Sequence, residues 1–345
     1  MDKSTISQLS REPLVSICIA NYNGAEVIED CLNSVFAQDC NFSLEVIVHD
    51  DASTDGSAEI VRERYPSAIL IPSKENVGFC VSNNRMAARA RGKYILLLNN
   101  DAALFPDALS TLERETERIG KPAILGLPQY DAVTGDLLDI GSLLDPFLNS
   151  VPNLDPSRNE VGMVAGACLW THSALWQELG GFPEWFGSIA EDLHLCCRAR
   201  LAGYSVRALG ISGYRHRVGA SFGGGKTIED KLITTFRRRH LSERNKSFSL
   251  AICYPFPAIF IVFPLHLFLL AFEGLVLSLI KKDNRFWTNI YGPCLAALWQ
   301  WRAKLLRERM AVQASRKPGG AFFSVFVFVP YKFKMLLRHG LPTVT

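Results

Sequence analysis

The sequence predicts an α/β protein whose mostly parallel sheet is covered by helices on both faces, followed by C-terminal helices associated with a membrane. Three observations predict it. Short apolar runs alternate with helix-period segments through roughly the first hundred residues, the pattern of a parallel sheet buried on both faces. Polar clusters follow those runs, where such sheets bind ligands beyond their carboxyl ends. From residue 250 to 280 the chain is almost uninterrupted apolar, longer than the about 20 residues a membrane span needs.

The elements follow in order. LVSICIA at 14–20 is a buried-strand run ended by the turn formers Asn21, Asn23 and Gly24. The next segment places Val27, Cys31, Leu32, Val35 and Phe36 on one helical face. LEVIVHD at 44–50 is a second strand, and STDGSAEIVRERY opens a helix behind a Ser/Thr/Asp capping cluster. AILIPS is a third strand, NNRMAARARG a helix, and KYILLLNND a fourth strand that ends on Asn99, Asn100 and Asp101. The ligand-side clusters are therefore Asn21 to Asn23, Asp50 and Asp51, Asn76, and Asn99 to Asp101.

Composition narrows the partners. Lys and Arg number 37 against 34 Asp and Glu, a net charge of +3, which excludes a strongly basic nucleic-acid binder by bulk charge. The nine cysteines are scattered and include no C-x-x-C, so they read as reduced thiols of the cytosol. Residues 1–13 are polar and show no signal segment. The 250–280 run has basic residues on both sides, Arg237 to Arg239 before it and Lys281, Lys282 and Arg285 after it, so charge assigns it no orientation. Two readings stand: a single tilted span, or a helix broken at Pro255, Pro257 or Pro264 that returns or lies in the interface. AFFSVFVFVPYKFKMLL at 321–337, behind a basic stretch, is expected to lie on a membrane surface.

A carboxylate at a strand's carboxyl end can hold a divalent cation that bridges two phosphates. The sequence has no G-x-x-x-x-G-K-[ST] loop and no G-x-G-x-x-G after the first strand, so a phosphate ligand is expected to be held through metal. Asp101 is the candidate.

Five segments, in order, then carry a resemblance: VSICIANYNGAEVIEDCLNSVFAQ, EVIVHDDASTDGS, ENVGFCVSNN, GKYILLLNNDAAL, and the stretch from GACLWTHS to AEDLHLCCRARLAGY. Covering most of residues 14–220, they resemble the inverting GT-A glycosyltransferases of family 2, and most of all bacterial enzymes of surface polysaccharide synthesis such as rhamnosyltransferases. The resemblance implies a GT-A domain over residues 1–248 and a membrane-associated helical region over 249–345. It implies that Asp50 and Asp51 reach the base and ribose of a nucleotide-diphosphate sugar, beside Asn21 and Tyr22, with Asn76, Gly78, Asn84 and Asn100 completing the donor pocket. Gly78 also reads as a plain turn glycine. Asn99 to Asp101 matches the family's D-x-D with Asn in the first place, making Asp101 a ligand of Mn2+ or Mg2+. His216 either completes that metal site or is structural. Glu191 and Asp192 match the acidic pair that carries the catalytic base, Asp192 favoured; helix N-terminal acids that suit the dipole are the other reading. The match assigns His194 no role. Arg215 and Arg217 can meet the diphosphate, and Gly223 to Lys226 reads as a closing loop or a linker. LWQWR at 298–302 does not match the Q-x-x-R-W of processive members, which implies addition of one or a few sugars. The implied acceptor is a lipid-linked saccharide at the cytoplasmic side of the inner membrane. Transfer to polyprenyl phosphate and a non-catalytic donor-binding scaffold are the alternatives.

Overall fold

The computed structural model describes residues 12–217, 224–228, 231–317, 322–341 and 343–345. The first hundred residues hold β1 (Val15–Asn21), α1 (Ile28–Phe36), β2 (Leu44–Asp50), α2 (Ser57–Arg64), β3 (Ile69–Pro72), α3 (Phe79–Arg89) and β4 (Tyr94–Asn99). β1 pairs in parallel with β2 and β4, and β2 in parallel with β3, as the alternation predicts. The register sets Asn21 opposite Asp50 and Ala20 opposite Asn99, so the polar ends emerge side by side. Side chains alternate along β1. Val15, Ile17 and Ile19 face a core with Ile28, Leu32 and Val35 of α1, while Cys18 faces the other core with Cys80 and Met86 of α3.

Beyond β4 come β5 (Ala102–Leu104), α4 (Ala108–Ile119), β6 (Ala123–Gly126), β7 (Gln129–Asp131), β8 (Leu137–Asp139), β9 (Ser142–Leu144), β10 (Ser150–Pro152), β11 (Cys168–His172), α5 (Ser173–Leu179), α6 (Glu191–Leu201), β12 (Ser205–Ala208) and β13 (Tyr214–His216). The main sheet has the order β12-β6-β11-β4-β1-β2-β3. β11 runs antiparallel to β4 and β6, so the sheet is mostly parallel with one reversed strand. A second sheet, β5-β13-β7-β8, lies beyond the carboxyl end of β4. β11 locks the centre: Trp170 is fully buried, stacks on Tyr94 at 4.9 Å, and donates its indole N–H to Thr116 Oγ1 at 2.9 Å.

The chain continues as β14 (Gly224–Ile228), β15 (Lys231–Thr234), α7 (Phe236–Cys253), α8 (Ile259–Ile280), α9 (Gly292–Gln300), α10 (Arg302–Ala314), α11 (Tyr331–His339) and β16 (Thr343–Val344). Gly224 to Lys226 form part of a strand paired with β15, not the expected loop, and Gly223 lies outside the described residues. The division expected at residue 248 falls inside α7, whose Phe248, Leu250, Ile252 and Cys253 join the same core as α3 and α6.

The apolar 250–280 run is two elements. Its first residues complete α7 in the core; the helix stops before Pro255 and Pro257, which lack the N–H a helix needs. The rest is α8, 22 residues with a mean hydropathy of 2.3 over its most apolar window, long and apolar enough to cross a bilayer. Pro264 sits within it. His266, Leu270, Gly274 and Leu277 form a buried helical stripe, with Ile259, Val262, Phe263 and Leu267 packed against the core beside it; Phe260, Ile261, Phe268, Phe272 and Leu279 are exposed. The segment at 321–337 corrects the expectation for it. Phe322, Val325 and Phe326 are buried in the main core against Tyr254, because this turn covers the groove beside Leu144, whereas Phe323, Phe328 and Val329 face outward.

Trp170→Ala removes the ring at the sheet's centre and leaves a cavity. It should cost about 3–5 kcal/mol of unfolding free energy, read from the urea midpoint at unchanged slope.

Candidate active site

Three strand ends are knitted together by one amide. Asn21 Nδ2 donates to Asp50 Oδ1 and Ser57 Oγ, both at 2.9 Å, and Asn21 Oδ1 accepts from Asn100 Nδ2 at 2.9 Å. Asp50 Oδ2 also accepts the Ser53 N–H. Asn21, Asp50 and Asn100 are all buried, so they form a floor that joins β1, β2 and the turn after β4. Gly24 is needed here, since a Cβ would lie 2.2 Å from Asn100 Nδ2. Asp51 turns the other way. Its carboxylate accepts the backbone N–H groups of Val77 at 2.7 Å and Gly78 at 2.9 Å, fixing the turn into α3. Gly78 has φ +90, a backbone that favours glycine. Tyr22 and Asn76 are exposed at the rim. Asn84 stands apart from this group: its amide donates to the Phe182 carbonyl and accepts the Phe182 N–H.

β13 runs antiparallel to β5 with His216 opposite Ala102, which brings His216 beside Asp101. His216 Nε2 lies 3.1 Å from Asp101 Oδ1 and 3.4 Å from Asn99 Nδ2. Asn99 Oδ1 is buried with no hydrogen-bond partner among the described residues, and Asp101 Oδ1 is buried with the His216 ring nitrogen beside it. A buried oxygen without a donor is costly, and a cation shared by the three side chains would answer it. One carboxylate, one amide oxygen and one imidazole make a donor set that fits Mn2+ better than Mg2+, which prefers oxygen throughout. Among the described residues no three His, Cys, Asp or Glu converge, so the remaining ligands would come from the diphosphate. Arg215 pairs loosely with Asp30 at 3.7 Å, and Arg217 is exposed.

Glu191 and Asp192 open α6. The residues before them, Ile189 and Ala190, both have positive φ, of 71° and 65°, an unfavourable backbone for side chains with a Cβ. The turn is held from α7. Asn245 Nδ2 donates to the carbonyls of Ser188 at 2.9 Å and Ile189 at 2.8 Å, and Arg244 Nη2 donates to that of Phe186 at 2.9 Å. Asp192 Oδ2 accepts the Gly166 N–H at 3.0 Å and its Oδ1 the Leu193 N–H at 2.7 Å, whereas Glu191 Oε2 has no partner among the described residues. Burial raises both carboxyl pKa values. The Asp192 charge adds to the rise at Glu191, while the two N–H bonds oppose it at Asp192. Glu191, pushed up to about 8, therefore holds a proton tightly, while Asp192 has two N–H donors that favour its ionised form. His194 faces the other side of the helix, packed on Phe186, and burial pushes it down to about 3; it is a neutral core histidine.

These groups meet in one cavity of about 590 Å³. Asn99, Asp101 and His216 line it, as do Glu191 and Asp192 from the start of α6 and Arg238, Arg239, Ser242, Glu243 and Lys246 from α7. Leu148, Asn149 and Ser150 also line it, from the segment before β10. The α7 residues were not foreseen. RRRHLSERNK shows the signal only when 238, 242 and 246 are seen to share one helical face. The strand-end residues Asn21, Asp50 and Asp51 are not part of this lining.

A family model described as "Glycosyl transferase family 2" matches residues 16–148, and one described as "Glycosyl transferase family group 2" matches residues 94–301. The putative teichuronic acid biosynthesis glycosyltransferase TuaG of Bacillus subtilis is 33% identical over 147 residues, covering 41% of this chain and 55% of TuaG. The N-acetylglucosaminyl-diphospho-decaprenol L-rhamnosyltransferase of Mycobacterium tuberculosis is 24% identical over 192 residues, 47% of this chain and 62% of that protein. The chain spans about half to three fifths of these two relatives, and as little as 11% of others. S. aureus TarS, solved with UDP-GlcNAc, shares the fold with a TM-score of 0.56 at 18% identity, covering 87% of this chain and 90% of that one. The sheet order, the cavity at the strand ends and a family match running over well more than half of the sequence agree: the chain belongs to the family 2 glycosyltransferases, with a GT-A fold.

Proposed function

We propose that the chain is an inverting glycosyltransferase that moves a sugar from a nucleotide-diphosphate sugar to a hydroxyl of a lipid-linked saccharide, one or a few sugars at a time, in synthesis of a cell-surface polysaccharide or glycolipid. The observation that carries it is one cavity lined both by Asp101, Asn99 and His216 and by Glu191 and Asp192. Asp192 takes the proton from the acceptor hydroxyl. That oxygen bonds to the anomeric carbon as the bond to the diphosphate breaks on the opposite face. Asp101, Asn99 and His216 would hold Mn2+ or Mg2+, which when bound supplies positive charge to the leaving diphosphate. Glu191, protonated, keeps its neighbour the only anion of the pair. Tyr22 and Asn76 touch the nucleotide at the rim. The buried Asn21, Asp50 and Asn100 support it from below, and Asp51 and Gly78 shape the turn beside it. Asn84 contributes by bracing the segment that leads to the acids.

The residues up to about 248 carry out the chemistry in this reading, and the helices beyond them meet the cytoplasmic face of the inner membrane. α8 lies along the protein and in the interface instead of crossing. Its inner stripe is tied down by Glu273, which accepts from Arg239 at 2.6 Å and Lys332 at 2.7 Å, and by His266 at 2.8 Å from Ser247 Oγ. A crossing helix would carry those ion pairs into hydrocarbon, where they are costly. The exposed Phe and Leu side chains would enter the lipid, with Lys281, Lys282 and Arg285 at the helix end facing anionic headgroups.

Asp192→Asn should lower kcat on the order of 10²–10⁴-fold. Because burial raises the Asp192 pKa, its ionisation opposes folding as pH rises above the unfolded value, so the same variant should be no less stable at neutral pH. A thermally weakened variant with full activity would refute the role. In the wild type, kcat/KM should fall as pH falls through a pKa above the usual aspartate range of about 4. A profile flat from pH 5 to pH 8, about the interval a raised carboxyl covers, would count against Asp192 as the base.

Asp101→Ala should abolish the thermal stabilisation that Mn2+ plus a nucleotide-diphosphate sugar gives the wild type, and with it transfer. Retained Mn2+-dependent stabilisation would place the cation elsewhere.

Replacing Phe268 and Phe272 together by Glu removes apolar contacts worth about 2 kcal/mol each when buried. Sedimentation with phosphatidylcholine–phosphatidylglycerol vesicles should drop at least about tenfold at an unchanged circular dichroism spectrum; equal binding would show that this face does not meet lipid.

A further inference from the structure

The α7 residues that line the cavity have no part in the displacement described above, and they are mostly charged. Arg238, Ser242 and Lys246 follow one another at four-residue spacing along α7, with Arg239 and Glu243 on the same side. Glu243 accepts from Lys246 at 2.8 Å and Lys332 at 2.6 Å, and Glu273 from Arg239 and Lys332. Lys246 also donates to Asn149 Oδ1 at 2.7 Å. Two carboxylates thus answer three cations, Arg239, Lys246 and Lys332. Arg238 is a fourth. It is half-buried in the cavity, has Glu191 and Asp192 as its charged neighbours, and its guanidinium makes no hydrogen bond or ion pair among the described residues. A half-buried guanidinium that lines the cavity and makes no hydrogen bond there is suited to a phosphate or diphosphate.

Two diphosphates are available, the donor's and the acceptor's. In an inverting displacement the leaving group departs on one face of the anomeric carbon and the acceptor arrives on the other. The base stands with the acceptor. Arg238 neighbours the acids that open α6, whereas the oxygens suited to the cation come from the end of β4. We propose that Arg238, backed by Lys246, binds a phosphate or diphosphate of the acceptor, so that the acceptor is a sugar attached directly to a phospholipid carrier, its reacting hydroxyl within one sugar ring of the phosphate. The position of α8 agrees. The same ion network reaches it through Glu273, and its apolar outer face gives the carrier's hydrocarbon a path away from the cavity. This deepens the transferase reading and rests on it.

The test uses the full chain, wild type and Arg238→Ala, with two acceptors bearing the same sugar: one on a polyprenyl diphosphate, one on a neutral alkyl chain. The substitution should raise KM for the diphosphate acceptor about tenfold to a hundredfold more than for the neutral one, with the donor KM little changed, and Arg238→Lys should recover part of the loss. Equal losses on both acceptors with a raised donor KM would assign Arg238 to the donor diphosphate and overturn the proposal. A fall in kcat alone on both would make it a partner of the acids and overturn it equally. Equilibrium binding of the diphosphate lipid to both proteins is measured alongside. If the wild type transfers to neither acceptor, the transferase reading fails, and weaker lipid binding by Arg238→Ala would still uphold the anion site, while equal binding would reject it.

Discussion

Two carboxylates set next to each other out of water are the constraint around which the rest is arranged. Glu191 and Asp192 repel one another when both are ionised, and each resists ionisation when buried. They also begin α6 behind two residues in the left-handed region, a conformation that costs about 1–3 kcal/mol for each residue with a side chain. Such a turn persists only if its surroundings over-determine it. Gly166 from the segment before β11, Asn84 from α3, and Arg244 and Asn245 from α7 do so, each through a hydrogen bond to the acids or to the nine-residue approach before them. The acid pair is held by three distant stretches of chain that have no sequence proximity to it.

α7 is therefore a part of the catalytic body as much as a link to the C-terminal helices. One of its faces grips the turn before the acids and packs Phe248 into the core; another carries the cations of the cavity wall. Glu243 is 3% exposed and sits between Lys246 and Lys332. Burying such a cluster costs several kcal/mol per ion before attraction returns part of it, and well-packed apolar side chains would serve stability as well. Its place at the edge of the cavity, in contact with α8 through Glu273 and Lys332, ties the exposed apolar helix to the charged lining of the cavity.

The front half of the fold could be read from periodicity because each strand there is a closed apolar run and each helix shows a single apolar stripe. Strands β1 to β4 and the helices between them fall where the alternation puts them, and the polar residues at their ends lie in one region. The antiparallel β11 could not be read, since CLWTH is as apolar as a parallel strand and direction depends on where the chain returns. Asp101, Glu191 and Asp192, which line one cavity, stand out in the sequence because carboxylates at strand and helix ends are visible as breaks in apolar runs. Asn84 and Asn245 were misjudged or missed for the opposite reason: an amide that satisfies backbone carbonyls looks in sequence like any polar residue on a helix. Phe322, Val325 and Phe326 read as a surface patch because nothing in their own neighbourhood reveals the groove, made by Leu144 and Tyr254, that they fill.

Asn99 in place of an acid has a consequence for how the cleft fills. Asp101 is the only formal negative charge among the three residues that would hold the cation, since the amide of Asn99 and a ligating imidazole of His216 are neutral. A divalent ion there would keep a net positive charge, and be weakly held, until a diphosphate supplied oxygens and the missing negative charge. Each would raise the affinity of the other by the same factor, as linkage requires. The buried oxygen of Asn99, which has no donor among the described residues, would then be satisfied only with the ion in place. A second aspartate at position 99 would hold the ion earlier and more tightly, at the cost of retaining it after a diphosphate had to leave.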